Sequence, residues 1–241
     1  MVPHNPFLDV VRAADRAHWR GRRVGRLARM SGEDTRGGST RRTRQPIGDD
    51  RLKRAIRIVR SAWHDLPTTH QRLLQNIGAA QWNVVDRPLG AYVDELLRSG
   101  GYDPLTVAGQ ADLDVALGVW VPPLRLILVD AGHASFLGTD EPTYEAMLAR
   151  VAWHEWGHAL SVQRASSDDV AAGERLLELA PSGVSGFIRG AGYRSREYTH
   201  ELVAEIYALL MSRRRRGQAG QPRWLHDEIY ELVRRTTGWS Q

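Results

Sequence analysis

The run His154-Glu155-Trp156-Gly157-His158 places two imidazoles four residues apart around a carboxylate. On an α-helix, residues four apart share one face about one turn from each other, so both rings can reach a single metal ion. Glu155 then stands beside that ion, where a carboxylate can take a proton from water the ion has acidified. The chain has no cysteine, which removes thiolate metal sites and a cysteine nucleophile. Any metal must be held by His and carboxylates.

Two imidazoles do not complete a catalytic zinc site, which ordinarily takes three protein ligands and a water. The metzincin solution, with a glycine and a third histidine soon after the motif, is absent. Ser161 stands three residues past His158 and Arg164 six past it. A later segment, residues 197–211, offers a carboxylate instead. Glu201 and Glu205 are one turn apart with Ala204 between them, and that small residue lets their helix approach the motif helix closely. Glu201 is the expected third ligand, with Glu205 accepting a hydrogen bond from the distal nitrogen of a ligand histidine. The same spacing admits a shifted version, Glu197 as ligand with Glu201 behind it. His200 points about 100° away from Glu201 on a helix.

The motif followed by Glu201-x-x-Ala204-Glu205-x-Tyr207-Ala208-x-x-Met211 resembles the gluzincin pattern of zinc metallopeptidases. Within that class it is similar to the ImmA/IrrE-type bacterial and phage peptidases, which carry a Glu-x-x-Ala-Asn-x-Phe-Ala helix. Here Glu205 stands in place of the Asn, and Glu201 lies 43 residues past His158. The resemblance implies an α+β, mostly helical, zincin-like metallopeptidase domain, with a small sheet bearing an edge strand beside the active-site helix. It implies Zn²⁺ as cofactor, a protein or peptide substrate, and Leu124–Val129 as the edge strand along which an extended substrate pairs. Glu155 would act as general base for peptide hydrolysis. The developing oxyanion needs a further donor, for which Tyr193, Tyr198 and His200 are near enough in sequence. His200 and Tyr193 are the expected donors.

These residues must be positioned by elements the pattern also predicts. Asp140 is the expected N-cap, and Pro142 the first-turn proline, of a helix from about Thr143 to Gln163. Met147, Val151, His154, His158 and Val162 share one of its faces. The apolar run Leu124–Val129 reads as a strand. Helices are expected over Leu52–Trp63, from Thr68 through Ile77, Leu89–Arg98, Asp168–Leu179, Ser195–Arg213 and Pro222–Thr236, with Ser182–Tyr193 a Gly-rich loop. Trp153 and Trp156 read as core residues, and His64, His70 and His133 as structural or exposed.

The net charge of +5 is unevenly spread. Eleven Arg against Asp15, Glu33 and Asp34 fall between Val10 and Arg44. Residues 1–48 therefore read as a basic, flexible arm, suited to non-specific nucleic-acid contact. Residues 49–120 follow as a helical part and 121–241 as the catalytic domain. With no signal-like apolar segment at Met1–Asp15 and no run approaching about 18 apolar residues, a soluble, cytoplasmic protein with no membrane contact is expected.

Overall fold

The computed structural model describes residues 47–162, 164–191, 193–218 and 220–239. The expectations for residues 1–46, the basic arm included, lie outside this set. Among the described residues the fold is mostly helical around one small mixed sheet. In chain order the elements are α1 (Asp49–Asp65), α2 (Thr68–Asn76), β1 (Gln81–Val85), α3 (Leu89–Ser99), α4 (Val107–Asp114), β2 (Gly118–Val121) and β3 (Leu126–Asp130). Then come α5 (Glu141–Ser161), α6 (Ser167–Ala171), α7 (Gly173–Leu179), α8 (Ser182–Gly190), α9 (Tyr198–Arg215) and α10 (Asp227–Thr237). No described helix is long and apolar enough to cross a membrane.

The sheet order is β1-β3-β2, with β1 parallel and β2 antiparallel to β3. This corrects the expectation for Leu124–Val129: its strand, β3, is central and paired on both sides. The edge strand that packs on the motif helix is β2. The reason lies in the apolar run itself. A strand covered on both faces reads as continuously hydrophobic, because neither face meets water. Ile127 and Val129 face the main helical core, while Leu128 faces a second core formed with Leu89, Val93 and Leu97 of α3. The sheet takes β1 from residues 49–120 and β3 from residues 121–241, and β2 runs across residue 121, so the two parts share one sheet.

Helix α5 begins as its sequence dictates. The Asp140 carboxylate accepts from the Thr143 N–H at 2.8 Å, and Pro142 occupies the first turn, where no N–H is required. Its Trp153 donates an indole N–H to the Ala62 carbonyl of α1 at 3.0 Å. Trp156 packs on Trp63 with ring centroids 5.4 Å apart. Both tryptophans are core residues, and together they clamp α5 to α1.

The adjoining flank of α5 packs on α9. A Cβ placed on Gly157 would lie 2.9 Å from the Ala204 Cα. Two small residues thus bring the two backbones together, Ala204 as expected and Gly157 opposite it. The chain between α5 and α9 is helical where a loop was expected: Ser182–Gly190 forms α8. Val184 and Ile188, four residues apart, bury one face of α8, and that burial outweighs the poor helix propensity of its three glycines. The stretch expected as one helix, Asp168–Leu179, divides into α6 and α7.

Candidate metal centre

Helices α5 and α9 bring His154, His158 and Glu201 to one point. The two Nε2 atoms are 3.0 Å apart, and the Glu201 Oε2 lies 3.7 Å from that of His154 and 3.6 Å from that of His158. Three ligands of a tetrahedral zinc ion bound at about 2.0–2.1 Å stand about 3.3–3.4 Å from one another. The observed triangle brackets that spacing, and the point equidistant from its corners lies about 2.0 Å from each, a zinc–ligand bond length. The donor set of two imidazoles and one carboxylate suits zinc and leaves a fourth position for water or substrate.

Glu205, one turn beyond Glu201, meets the other side of His154: its Oε2 lies 3.3 Å from Nδ1. With Nδ1–H donating to Glu205, the lone pair of Nε2 is the one presented to the metal point. The second oxygen of Glu205, Oε1, receives the Arg150 guanidinium. Burial opposes ionisation of Glu205, but His154 and Arg150 outweigh it and hold the carboxyl below its ordinary range. Burial also opposes a charge on His154, yet Glu201, Glu205 and Glu155 overcome it and raise the imidazole to about 10. The surrounding carboxylates thus favour positive charge in the pocket, and a metal ion bound through His154 Nε2 would have to displace that proton.

Glu155 points to a different neighbour, the edge strand β2. Its carboxylate accepts from the backbone N–H of Trp120. Burial pushes it above the usual carboxylate range, against the lowering effect of His154, His158 and that N–H. A Cβ on Gly118 would stand 3.0 Å from Glu155 Cγ and 2.7 Å from Val151 Cγ1, so the strand lies against this side of α5 because residue 118 has no side chain.

Glu197 does not join this group. Its Oε2 accepts from the Arg194 N–H at 3.0 Å, closing the short helical turn Ser195–Glu197 that leads into α9. His200, half-buried on α9, and Tyr193, half-buried against the main core, are not among the three residues whose ligand atoms converge. His70 is structural: it is fully buried, and its Nδ1 lies 2.8 Å from the Tyr207 hydroxyl. His133 caps the short turn Ala134–Phe136.

Three site neighbours escaped the sequence reading. Arg150 had a signal, since it precedes His154 by one turn on the same face as the two histidines. Gly118 and the Trp120 N–H had none, because strand-to-helix proximity is set by tertiary packing. Comparison with protein-family models, with curated proteins and with solved structures returned no match.

Proposed function

We propose that the chain is a zinc-dependent endopeptidase of zincin-like architecture. The observation that carries this reading is the triangle of His154 Nε2, His158 Nε2 and Glu201 Oε2 around a point at zinc-bond distance, on the helix that also bears Glu155. A zinc ion held there supplies Lewis acidity, lowering the pKa of water towards about 7 and polarising a peptide carbonyl.

The protein groups divide the remaining work. Glu155 takes the proton of the attacking water and delivers it to the leaving amine. Its buried setting, with a carboxyl pulled up from the ordinary range, favours this two-way transfer. Glu205 fixes the tautomer and rotation of His154. Strand β2, whose Trp120 N–H meets Glu155, replaces β3 as the strand along which an extended peptide lies. His200 and Tyr193 remain the proposed donors to the negative charge developing on the substrate carbonyl.

The test is metal analysis joined to one substitution. Protein purified with zinc present should retain about one zinc per chain. Glu155→Gln should keep the zinc and lose cleavage of an unfolded protein substrate. No bound zinc, or cleavage that survives in Glu155→Gln, overturns the proposal.

A further inference from the structure

Side chains from α5 and α9 alternate across the helix contact as rungs of one ladder. On α5 stand Arg150, His154 and His158, each one turn from the next. On α9 stand Glu201 and Glu205, also one turn apart. Glu201 lies between the two imidazoles at 3.6 and 3.7 Å. Glu205 lies between His154, at 3.3 Å, and the Arg150 guanidinium. The carboxylates of both α9 residues are almost wholly buried, Glu201 2% exposed and Glu205 6%.

Resting on the metal-site reading above, we infer that Arg150 is a positioning residue for the metal. It acts through Glu205 on His154 and does not touch the ion. A carboxylate has two oxygens and free rotation about its last bond. With Oε2 alone engaged, Glu205 can swing away from Nδ1; with Oε1 pinned by Arg150, the direction of Oε2 is fixed. The rotation of the His154 ring, and with it the aim of Nε2, follows. The geometry also balances charge. In this buried group the three carboxylates of Glu155, Glu201 and Glu205 match the two charges of zinc and the one of Arg150. Removing the guanidinium leaves Glu205 with a buried oxygen that no cation offsets.

The experiment measures zinc affinity by chelator competition at one pH, using the full chain and Arg150→Met, Arg150→Lys, Glu205→Gln and the double variant Arg150→Met/Glu205→Gln. Thermal unfolding of each zinc-free protein establishes that it folds. Arg150→Met should weaken zinc binding by about 10–100-fold, the usual effect of an outer-shell partner. Arg150→Lys should restore part of the loss, because an ammonium replaces the charge without the guanidinium's planar reach. It also supplies the comparison should the Met variant fail to fold. The double variant should bind zinc within about threefold of Glu205→Gln alone, since the two residues act in series. Wild-type affinity in Arg150→Met, or losses that multiply in the double variant, overturns this assignment alone. A wild-type chain that binds no zinc overturns the metal-site reading and this assignment with it.

Discussion

Gly157→Ala is the sharpest probe of how the metal point is assembled. The added Cβ would meet the Ala204 Cα at 2.9 Å, the Tyr207 Cδ1 at 3.2 Å and the Ala204 Cβ at 3.4 Å. Carbon atoms in comfortable contact stand about 3.5–4.0 Å apart, so α5 and α9 must separate by about 0.6–1 Å at this level. His158 adjoins residue 157 on α5, and Glu201 lies three residues before Ala204 on α9. The separation therefore opens the ligand triangle itself. Metal sites tolerate about 0.2 Å in each bond, so a shift of this size should reduce zinc affinity by more than about tenfold.

The effect on folding should be smaller and mixed in origin. Overpacking costs about 1–3 kcal/mol, while replacing a helical glycine by alanine returns up to about 1 kcal/mol. Zinc-free Gly157→Ala should thus unfold at a somewhat lower temperature yet remain folded at 25 °C. Chelator competition and thermal melts of the zinc-free protein supply both readouts. Adding Ala204→Gly should not restore the affinity, because the nearest atom met is the backbone Cα, which every residue has. Unchanged zinc affinity in Gly157→Ala, or full rescue by Ala204→Gly, refutes this account of the helix contact.

Two further outcomes follow from the same structure. Glu201→Gln should abolish tight zinc binding, whereas Glu197→Ala should keep it while losing the bond accepted from the Arg194 N–H, about 1 kcal/mol, measurable as a small fall in denaturation midpoint. Burial, joined by the charges of Arg214 and Arg164, pulls His70 down to about 4 from an ordinary 6.5. Above pH 6.5 its imidazole is neutral in both folded and unfolded chains. Between pH 6.5 and 4 only the unfolded chain takes the proton, so stability falls with acidification by about 3 kcal/mol in all and levels off below pH 4. Urea melts from pH 7 to 4 should show a steeper loss for wild type than for His70→Gln, and parallel profiles would remove His70 from the acid response.

Local rules carried the reading of α5 and α9 a long way. An Asp cap, a first-turn proline and the spacing of apolar residues suffice to start α5 correctly and to aim its histidines. One-turn spacing on α9, with Ala204 between, makes Glu201 and Glu205 the expected pair and leaves Glu197 with Glu201 as the alternative. One-turn spacing admits Glu197 as well as Glu201, and only the packing of α9 on α5 brings the Glu201 carboxylate to the two imidazoles while Glu197 closes the turn before the helix. The role of β3 was illegible for a similar reason. Its apolar run is compatible with any buried strand, and its central place depends on β1, whose Gln81-Trp82-Asn83 start carries little strand signal. Helix α8 was hidden by its glycines, whose cost is offset by the burial of Val184 and Ile188.

The motif residues that do no chemistry set the rotation of α5 about its axis, and that rotation makes a generic His-Glu-x-x-His into a site. Successive residues turn by about 100°, so five of them sample the whole circumference of the helix. Trp153 and Trp156 fall together and face α1, one hydrogen-bonded to Ala62 and the other packed on Trp63. Gly157 comes next round the helix and meets the backbone of α9. His154 and His158 follow, facing Glu201 and Glu205, and Glu155 lies beyond them, facing β2. A rotation of one residue's turn would point Glu155 away from the Trp120 N–H and send an imidazole into the tight contact that only Gly157 fits. The two bulky anchors and the missing side chain therefore admit one orientation, in which the acid–base group and the metal ligands emerge on adjacent sides of the helix. Trp156 and Gly157, variable positions in the bare motif, are here as constrained as the histidines.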